Sequence, residues 1–312
     1  MVPHSRPAPL VVSVPDAGLA SLLEDRPDGV EIITWDMSGP PPVPYIDIVV
    51  PPYLVGTDVL AQLASVQCRL VQSPMLGYDG VEEILPPGQV YANAASVHET
   101  STAELTLALI LASQRGIPDF VRSAERGSWE RSWRPSLADR TVLLVGYGGV
   151  GRAIEERLAP FETTIVRVAR TSRHDDRGEV HAMDELRELL PVADVVVVAV
   201  PLTEATTHLV DGRFLARMQD GSLLVNIARG RVADTGAILA EATTGRLRFA
   251  LDVTEPEPLP DGHPLFALAN VLISPHVGGA TSAALPRLTR LLVRQIERMQ
   301  RGEEPLNVVF RT

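Results

Sequence analysis

The stretch Thr141–Gly151, TVLLVGYGGVG, decides how the rest of the chain is read. Thr141 to Val145 is an almost uninterrupted apolar run, as expected of a strand buried on both faces. Gly146-x-Gly148-x-x-Gly151 follows at once, and Ile154, Leu158 and Phe161 then recur at helical spacing. The order is strand, tight turn, helix. In that context Gly146 allows the turn, and Gly148 lets backbone amides approach a pyrophosphate. Gly151 lets the helix pack close to the strand, with its N-terminus toward the anion. Gly149 and Val150 complete the loop. A glycine-rich loop of any kind can imitate this pattern, but the strand before it and the helix after it mark a dinucleotide site.

The following strand, Thr163–Ala169, bears on which dinucleotide. About 20 residues beyond the glycines an NAD site places a carboxylate for the ribose 2′-hydroxyl. Here the chain reads Ala169-Arg170-Thr171-Ser172-Arg173, two guanidiniums and two hydroxyls with no acid. Arginine offers planar, paired donors to phosphate oxygens, so the loop suits a 2′-phosphate and favours NADP, with NAD as the alternative.

The 312 residues are enough for two domains, and 45% apolar with 21% charged residues is the composition of a globular chain. A net charge of −11 argues against general attraction to nucleic acid or to an anionic membrane face. All 28 basic residues are arginine, which excludes Schiff-base or lysine-base chemistry. The single cysteine, Cys68, rules out an intramolecular disulfide and reads as a packing residue in a reducing compartment. The apolar run in MVPHSRPAPLVVSV is too short for a signal sequence, and no stretch has the length of a membrane helix, so a cytoplasmic location is expected.

Strands are expected at Leu10–Val14, Val30–Thr34, Ile46–Val50 and Arg69–Gln72, with helices at Asp16–Leu23, capped by Asp16, and at Thr57–Ala64. The helix Ser101–Ala112 marks the crossing to a second domain. Trp129 and Trp133 lie in an irregular stretch, where packing or an interface would account for them. Beyond Arg173, helices near Asp184–Leu190, Gly212–Met218 and Asp234–Ala242 alternate with strands Asp194–Val200, Ser222–Ile227, Leu247–Val253 and Val271–Ser274. A helix over Ser282–Arg301 follows. The fold class is α/β, a doubly wound parallel sheet of Rossmann type.

Three polar groups stand just past strand ends, where ligands gather in open α/β sheets. They are Asn226-Ile227-Ala228-Arg229-Gly230, Asp252-Val253-Thr254-Glu255-Pro256-Glu257-Pro258 and Ser274-Pro275-His276-Val277-Gly278-Gly279. An arginine, a carboxylate and a histidine make a complete set for a 2-oxo acid. Arginine can hold the carboxylate and polarise the carbonyl, and histidine can exchange the oxygen-bound proton while a neighbouring carboxylate favours its charged form. No histidine has persuasive metal-ligand spacing.

In these blocks the chain resembles the D-isomer-specific 2-hydroxyacid dehydrogenases, most of all the glyoxylate and hydroxypyruvate reductases, over nearly its whole length. The resemblance implies that Arg229, Glu257 and His276 are catalytic, with Glu255 the local competitor of Glu257. It implies that Asp252 contacts the nicotinamide and that Pro201, Ile227 and Gly278 line the cofactor. Leu76 and Gly77 would offer amides to the substrate carboxylate. A smaller flavodoxin-like α/β substrate domain, residues 1–103 completed by 284–312, would flank a cofactor domain of residues 104–283, usually in a homodimer. Met75 and Leu76 are bulkier than the small residues frequent before this glycine.

The partner expected is a small 2-oxo or 2-hydroxy acid, without phosphate, since no second arginine cluster stands near Arg229 in sequence. Rival readings are an NAD-dependent 3-phosphoglycerate dehydrogenase and a non-enzymatic NADP(H)-sensing protein. A formate dehydrogenase would carry Gln in place of Glu257.

Overall fold

In the computed structural model the described residues are 9–53 and 55–312. Residues 1–8, on which part of the N-terminal reading rests, lie outside them. The chain divides into two compact units, 1–98 with 282–312, and 99–281.

The first unit begins with β1 (Leu10–Val14), α1 (Ala17–Ser21), β2 (Val30–Thr34), β3 (Tyr45–Val49), β4 (Gln67–Gln72) and β5 (Val90–Ala92). Asp16 caps α1 by accepting the Leu19 amide at 2.9 Å. The helix expected over Thr57–Ala64 is a 3-10 run over Thr57–Ser65. Its buried leucines, Leu60 and Leu63, are three apart, and three residues per turn brings them onto one line.

The second unit opens with α2 (Glu99–Arg115) and α3 (Ile117–Glu125), then β6 (Thr141–Val145), α4 (Gly149–Leu158), β7 (Thr164–Ala169) and a hairpin of β8 (Arg173–Asp175) and β9 (Gly178–Ala182). It continues through α5 (Leu186–Leu189), β10 (Val195–Val198), α6 (Gly212–Arg217), β11 (Leu223–Asn226), α7 (Thr235–Thr244), β12 (Arg248–Leu251) and β13 (Val271–Ile273). The sheet order is β13-β12-β11-β10-β6-β7-β9-β8, parallel except at β8. Alternation along the strands splits the core in two. Leu143, Val145, Val196 and Val198 pack with Phe214, Leu215 and Ile238 on one face. Val142, Leu144, Val195 and Val197 pack with Ile110, Ile154 and Leu158 on the other. Covered on both faces, the strands read as unbroken apolar runs.

The chain then returns to the first unit with α8 (Ala284–Gln300) and β14 (Val308–Arg311). Leu288, Leu291, Leu292, Ile296 and Met299 form one helical stripe, buried with Val12, Val14 and Ile48. The sheet order is β14-β5-β4-β3-β1-β2, with β14 antiparallel to β5. Its run β2-β1-β3-β4-β5 is the flavodoxin-like order. Among the described residues no helix is long and apolar enough to cross a membrane.

Register positions the site. Val145, Val198, Asn226, Leu251 and Ile273 are successive partners across β6, β10, β11, β12 and β13. All five strands therefore end level, and the loops that follow leave from one edge of the sheet, beside the switch point where β6 lies between β7 and β10.

Helix α7 shows how local chemistry supports this frame. Asp234 Oδ1 accepts the amides of Gly236 and Ala237 at 2.8 and 3.1 Å, and the helix closes on Gly245 at φ 74°. Asp234→Ala should lower unfolding free energy by about 1 kcal/mol, read as a lower denaturant midpoint at unchanged slope. An unchanged midpoint would show that the cap contributes nothing.

Candidate active site

The glycine loop leaves β6 where the backbone has no room for side chains. A Cβ on Gly146, whose φ is 109°, would stand 2.5 Å from the carbonyl of Ala199, and one on Gly151 would stand 2.3 Å from the Gly146 oxygen. A Cβ on Gly148 would meet nothing within 4 Å. Gly148 is also the N-cap of α4 and supplies no side-chain cap, and the Glu99 side chain comes within 3.2 Å of where a Cβ on Gly149 would stand, so the open space lies on the Gly148 side of the helix N-terminus. That is the shape a pyrophosphate needs, and the loop fits the dinucleotide expected of it.

Arg170, Thr171, Ser172 and Arg173 are all exposed after β7. Neither Arg170 nor Arg173 forms an ion pair among the described residues. Beneath them lies a cluster centred on Tyr147, which is 4% exposed. Its hydroxyl donates to buried Glu155, which also takes the Arg167 guanidinium. Burial acts to raise the Glu155 carboxyl, but hydrogen bonds from Arg167 and Tyr147 and the charge of Arg167 outweigh it and hold the group below its ordinary value.

The Arg229 loop is shaped by Asn226. Its side chain accepts the Ala228 amide at 3.1 Å and donates to the Arg229 carbonyl at 3.2 Å. Arg229 is half-buried and donates through Nη1 to the Ala228 carbonyl at 2.8 Å. Gly230 lets this loop close on the segment after β12, since a Cβ there would fall 1.8 Å from the Thr254 oxygen.

Asp252, 3% exposed, ties the next two loops together. Oδ1 accepts from Ser274 Oγ at 2.6 Å and from the Val277 amide at 3.0 Å, and Oδ2 accepts the Gly278 amide at 3.0 Å. The Asp252 carbonyl takes the His276 amide at 2.8 Å. His276 itself sits in the left-handed region at φ 53°, a conformation the surrounding bonds must enforce. Its Nδ1 is hydrogen-bonded to Glu257, which leaves Nε2 for another partner. Glu255 is engaged elsewhere, accepting from His208 Nε2 at 3.0 Å and lying 3.7 Å from Arg231 Nε.

The remaining expected residues are placed as follows. Ile227 is buried, and the Pro201 carbonyl accepts Thr206 Oγ1 at 2.7 Å. In the first unit, Leu76 and Gly77 follow β4 in a loop in which Ser73 Oγ accepts the Met75 amide at 3.0 Å and the Leu76 carbonyl accepts Asn93 Nδ2 at 2.9 Å. Among the described residues the Leu76 and Gly77 amides make no hydrogen bond. His98 is buried, and its Nε2 lies 2.7 Å from the Pro74 carbonyl. Cys68 contacts Gln89 Oε1 at 2.7 Å, and burial pushes its thiol up to about 12. Trp129 and Trp133 are 88% and 101% exposed, so packing within the chain does not account for them. Sequence reasoning passed over Tyr147, Asn226, Gly230 and Ser274 as shapers of these loops, although all four lie inside or beside the quoted motifs.

The cluster makes a pH prediction. The Glu155 carboxyl lies below its ordinary value in the folded chain, so its stabilisation is complete above that value and is lost as pH falls through the lower, folded one. Glu155→Gln should therefore flatten the acid limb of a melting-temperature profile taken from neutral pH downward. Parallel profiles for the two proteins would contradict the ion-paired assignment.

Comparison with known proteins adds the family. Residues 107–278 match the family model for the D-isomer specific 2-hydroxyacid dehydrogenase NAD binding domain. A glyoxylate reductase of Pyrococcus horikoshii is 34% identical over 78% of this chain and 76% of its own. One of Korarchaeum cryptofilum is 30% identical over 95% of this chain and 93% of its own. A D-isomer specific 2-hydroxyacid dehydrogenase of Xanthobacter autotrophicus Py2, solved in complex with NADPH and MES, is similar over 97% of this chain and 98% of its own, with a TM-score of 0.82 and 26% identity.

Proposed function

For a chain that belongs to the D-isomer-specific 2-hydroxyacid dehydrogenases, and is thereby an NAD(P)-dependent oxidoreductase, we propose one reaction. It is the reduction of a small unphosphorylated 2-oxo acid, of the glyoxylate or hydroxypyruvate kind, to the D-2-hydroxy acid with NADPH. The observation that carries this reading is the hydrogen bond between His276 Nδ1 and Glu257, on the sheet edge from which the Arg229 loop also leaves.

In this reading Arg229 binds the substrate carboxylate and polarises the carbonyl through charged hydrogen bonds. His276 gives the carbonyl oxygen a proton from Nε2, and Glu257 stabilises the charged ring and fixes its orientation. NADPH, when bound, supplies the hydride. Asp252 keeps the His276 loop in shape, and Ile227, Pro201 and Gly278 flank the nicotinamide end. The amides of the glycine loop hold the pyrophosphate, and Arg170, Thr171, Ser172 and Arg173 hold the 2′-phosphate. The first unit serves as the substrate domain, with the Leu76 and Gly77 amides as its carboxylate donors. The NADPH complex of the Xanthobacter relative and the similarity to the glyoxylate reductases of Pyrococcus horikoshii and Korarchaeum cryptofilum support the cofactor and substrate class. The working assembly in this reading is a homodimer in the cytoplasm, and the exposed Trp129 and Trp133 are the surface that pairing would cover.

Catalytic efficiency with NADPH for glyoxylate, hydroxypyruvate, a longer aliphatic 2-oxo acid and phenylpyruvate tests the proposal beside 3-phosphoglycerate oxidation with NAD. The expected order puts the unphosphorylated acids first, within a few hundredfold of one another, because each methylene is worth only about 1–3 kcal/mol. A preference for 3-phosphoglycerate and NAD would overturn it. Glu257→Gln should keep a hydrogen bond to the ring while removing the charge, lowering kcat by about 10²- to 10⁴-fold with KM little changed. Wild-type kcat in that variant would remove Glu257 from the mechanism.

A further inference from the structure

We infer that Tyr147, gripped through its hydroxyl by Glu155, is a positioning residue that holds Arg173 ready for the 2′-phosphate of the cofactor. The inference rests on the NADPH reading above and goes beyond it, because Tyr147 stands between two glycines that work through their backbone, at a place the glycine pattern leaves unspecified. An aliphatic residue would fill that buried place as well. The chain instead puts an aromatic ring with a polar end there, and both parts are used.

Three guanidiniums surround the ring, those of Arg152, Arg167 and Arg173, at 5.5, 5.7 and 5.8 Å from its centroid. Two have carboxylate partners, Arg167 in Glu155 and Arg152 in Asp175 at 2.9 Å. Arg173 makes no ion pair among the described residues, and Asp175 feels its charge only at longer range. While the Arg173 backbone is fixed in β8 against Val180, its guanidinium is held by the Tyr147 face and by a hydrogen bond from Nη2 to the Tyr147 carbonyl at 3.1 Å. Both side-chain contacts are with one residue, so the place of the Arg173 guanidinium depends on the place of Tyr147. Tyr147 is in turn immobilised by Glu155, which lies on α4 and is clamped by Arg167 and Arg177. The Arg173 guanidinium keeps N–H groups uncommitted among the described residues, its charge acting on Asp175 without a direct ion pair, and it lies against Tyr147 of the loop that leads into α4. Such a donor suits a phosphate, and its prior orientation reduces the entropy lost on binding.

The test uses equilibrium binding, read by fluorescence titration of the full chain with NADPH and NADH, without substrate. Arg173→Ala should weaken NADPH but not NADH. Tyr147→Leu should weaken NADPH about three- to tenfold and NADH less than twofold, the size of a lost cation–π platform. In the Arg173→Ala background the same change should no longer alter the ratio of the two affinities. Tyr147→Phe keeps the buried ring and frees it from Glu155. It should shift the ratio in the same direction by a smaller factor, and it decides the matter if the leucine variant does not fold. Should Arg173→Ala affect both cofactors alike, the NADPH reading of the loop fails. Should Arg173→Ala separate the cofactors while the Tyr147 variants leave the ratio at its wild-type value, or keep their effect without Arg173, the positioning role is overturned.

Discussion

The cofactor unit depends on backbone meeting backbone at points where a single Cβ could not fit. At Gly146 the turn after β6 lies against the carbonyl of Ala199, at Gly151 the first turn of α4 lies against Gly146, and at Gly230 the Arg229 loop lies against Thr254. The first two bring the amides of a helix N-terminus to the end of the central strand. The third brings a catalytic candidate down onto the segment that leads to Glu257. These contacts can exist because five parallel strands end level, so that consecutive loops start from one line. The sheet sets the level, and the glycines set how closely the loops converge.

Where glycine permits approach, Asp252 imposes shape. A buried carboxylate must find donors, and this one takes a hydroxyl and two amides from the loop after β13. The loop is thereby folded back so that His276 adopts a left-handed backbone and turns Nδ1 to Glu257. Family resemblance points Asp252 at the nicotinamide. Its bonds in the folded chain give it an earlier task, since the histidine stands on the loop that this carboxylate organises.

Much of this was legible in the sequence for definable reasons. Strands covered on both faces are unbroken apolar runs, and Asp16 and Asp234 announce the helices that they cap. Other elements left no such trace. β5 and β14 are short and owe their existence to pairing with each other at one end of a sheet, which no local pattern records. The β8–β9 hairpin, RHDDRGEVHA, has almost no apolar alternation and turns on Asp175, which accepts the Arg177 amide, and on Gly178 at φ 113°. α3 has apolar residues at helical spacing, but Ile117 and Val121 are about half exposed, so reasoning from burial passes over it. Glu255 and Glu257 stand two residues apart in a proline-rich run, and composition cannot separate them. Space does, by turning one toward His208 and the other toward His276.

Charge completes the argument about the cofactor end. A chain of net charge −11 repels an anionic dinucleotide at long range, so attraction has to be local. Four arginines, 152, 167, 173 and 177, gather around the glycine loop, and three carboxylates, Glu155, Glu156 and Asp175, pair with three of them. Without those carboxylates, like charges around one ring would repel each other and loosen the cluster. With them, the repulsion is offset while one positive charge remains, on Arg173 at the exposed rim. Arginine suits this arrangement better than lysine, because a planar guanidinium can lie over an aromatic face and still present paired donors to phosphate oxygens. In the NADPH reading the acidic groups of the cluster thus serve an anion site. They hold its cations together and, among the described residues, leave without an ion pair the one that faces outward.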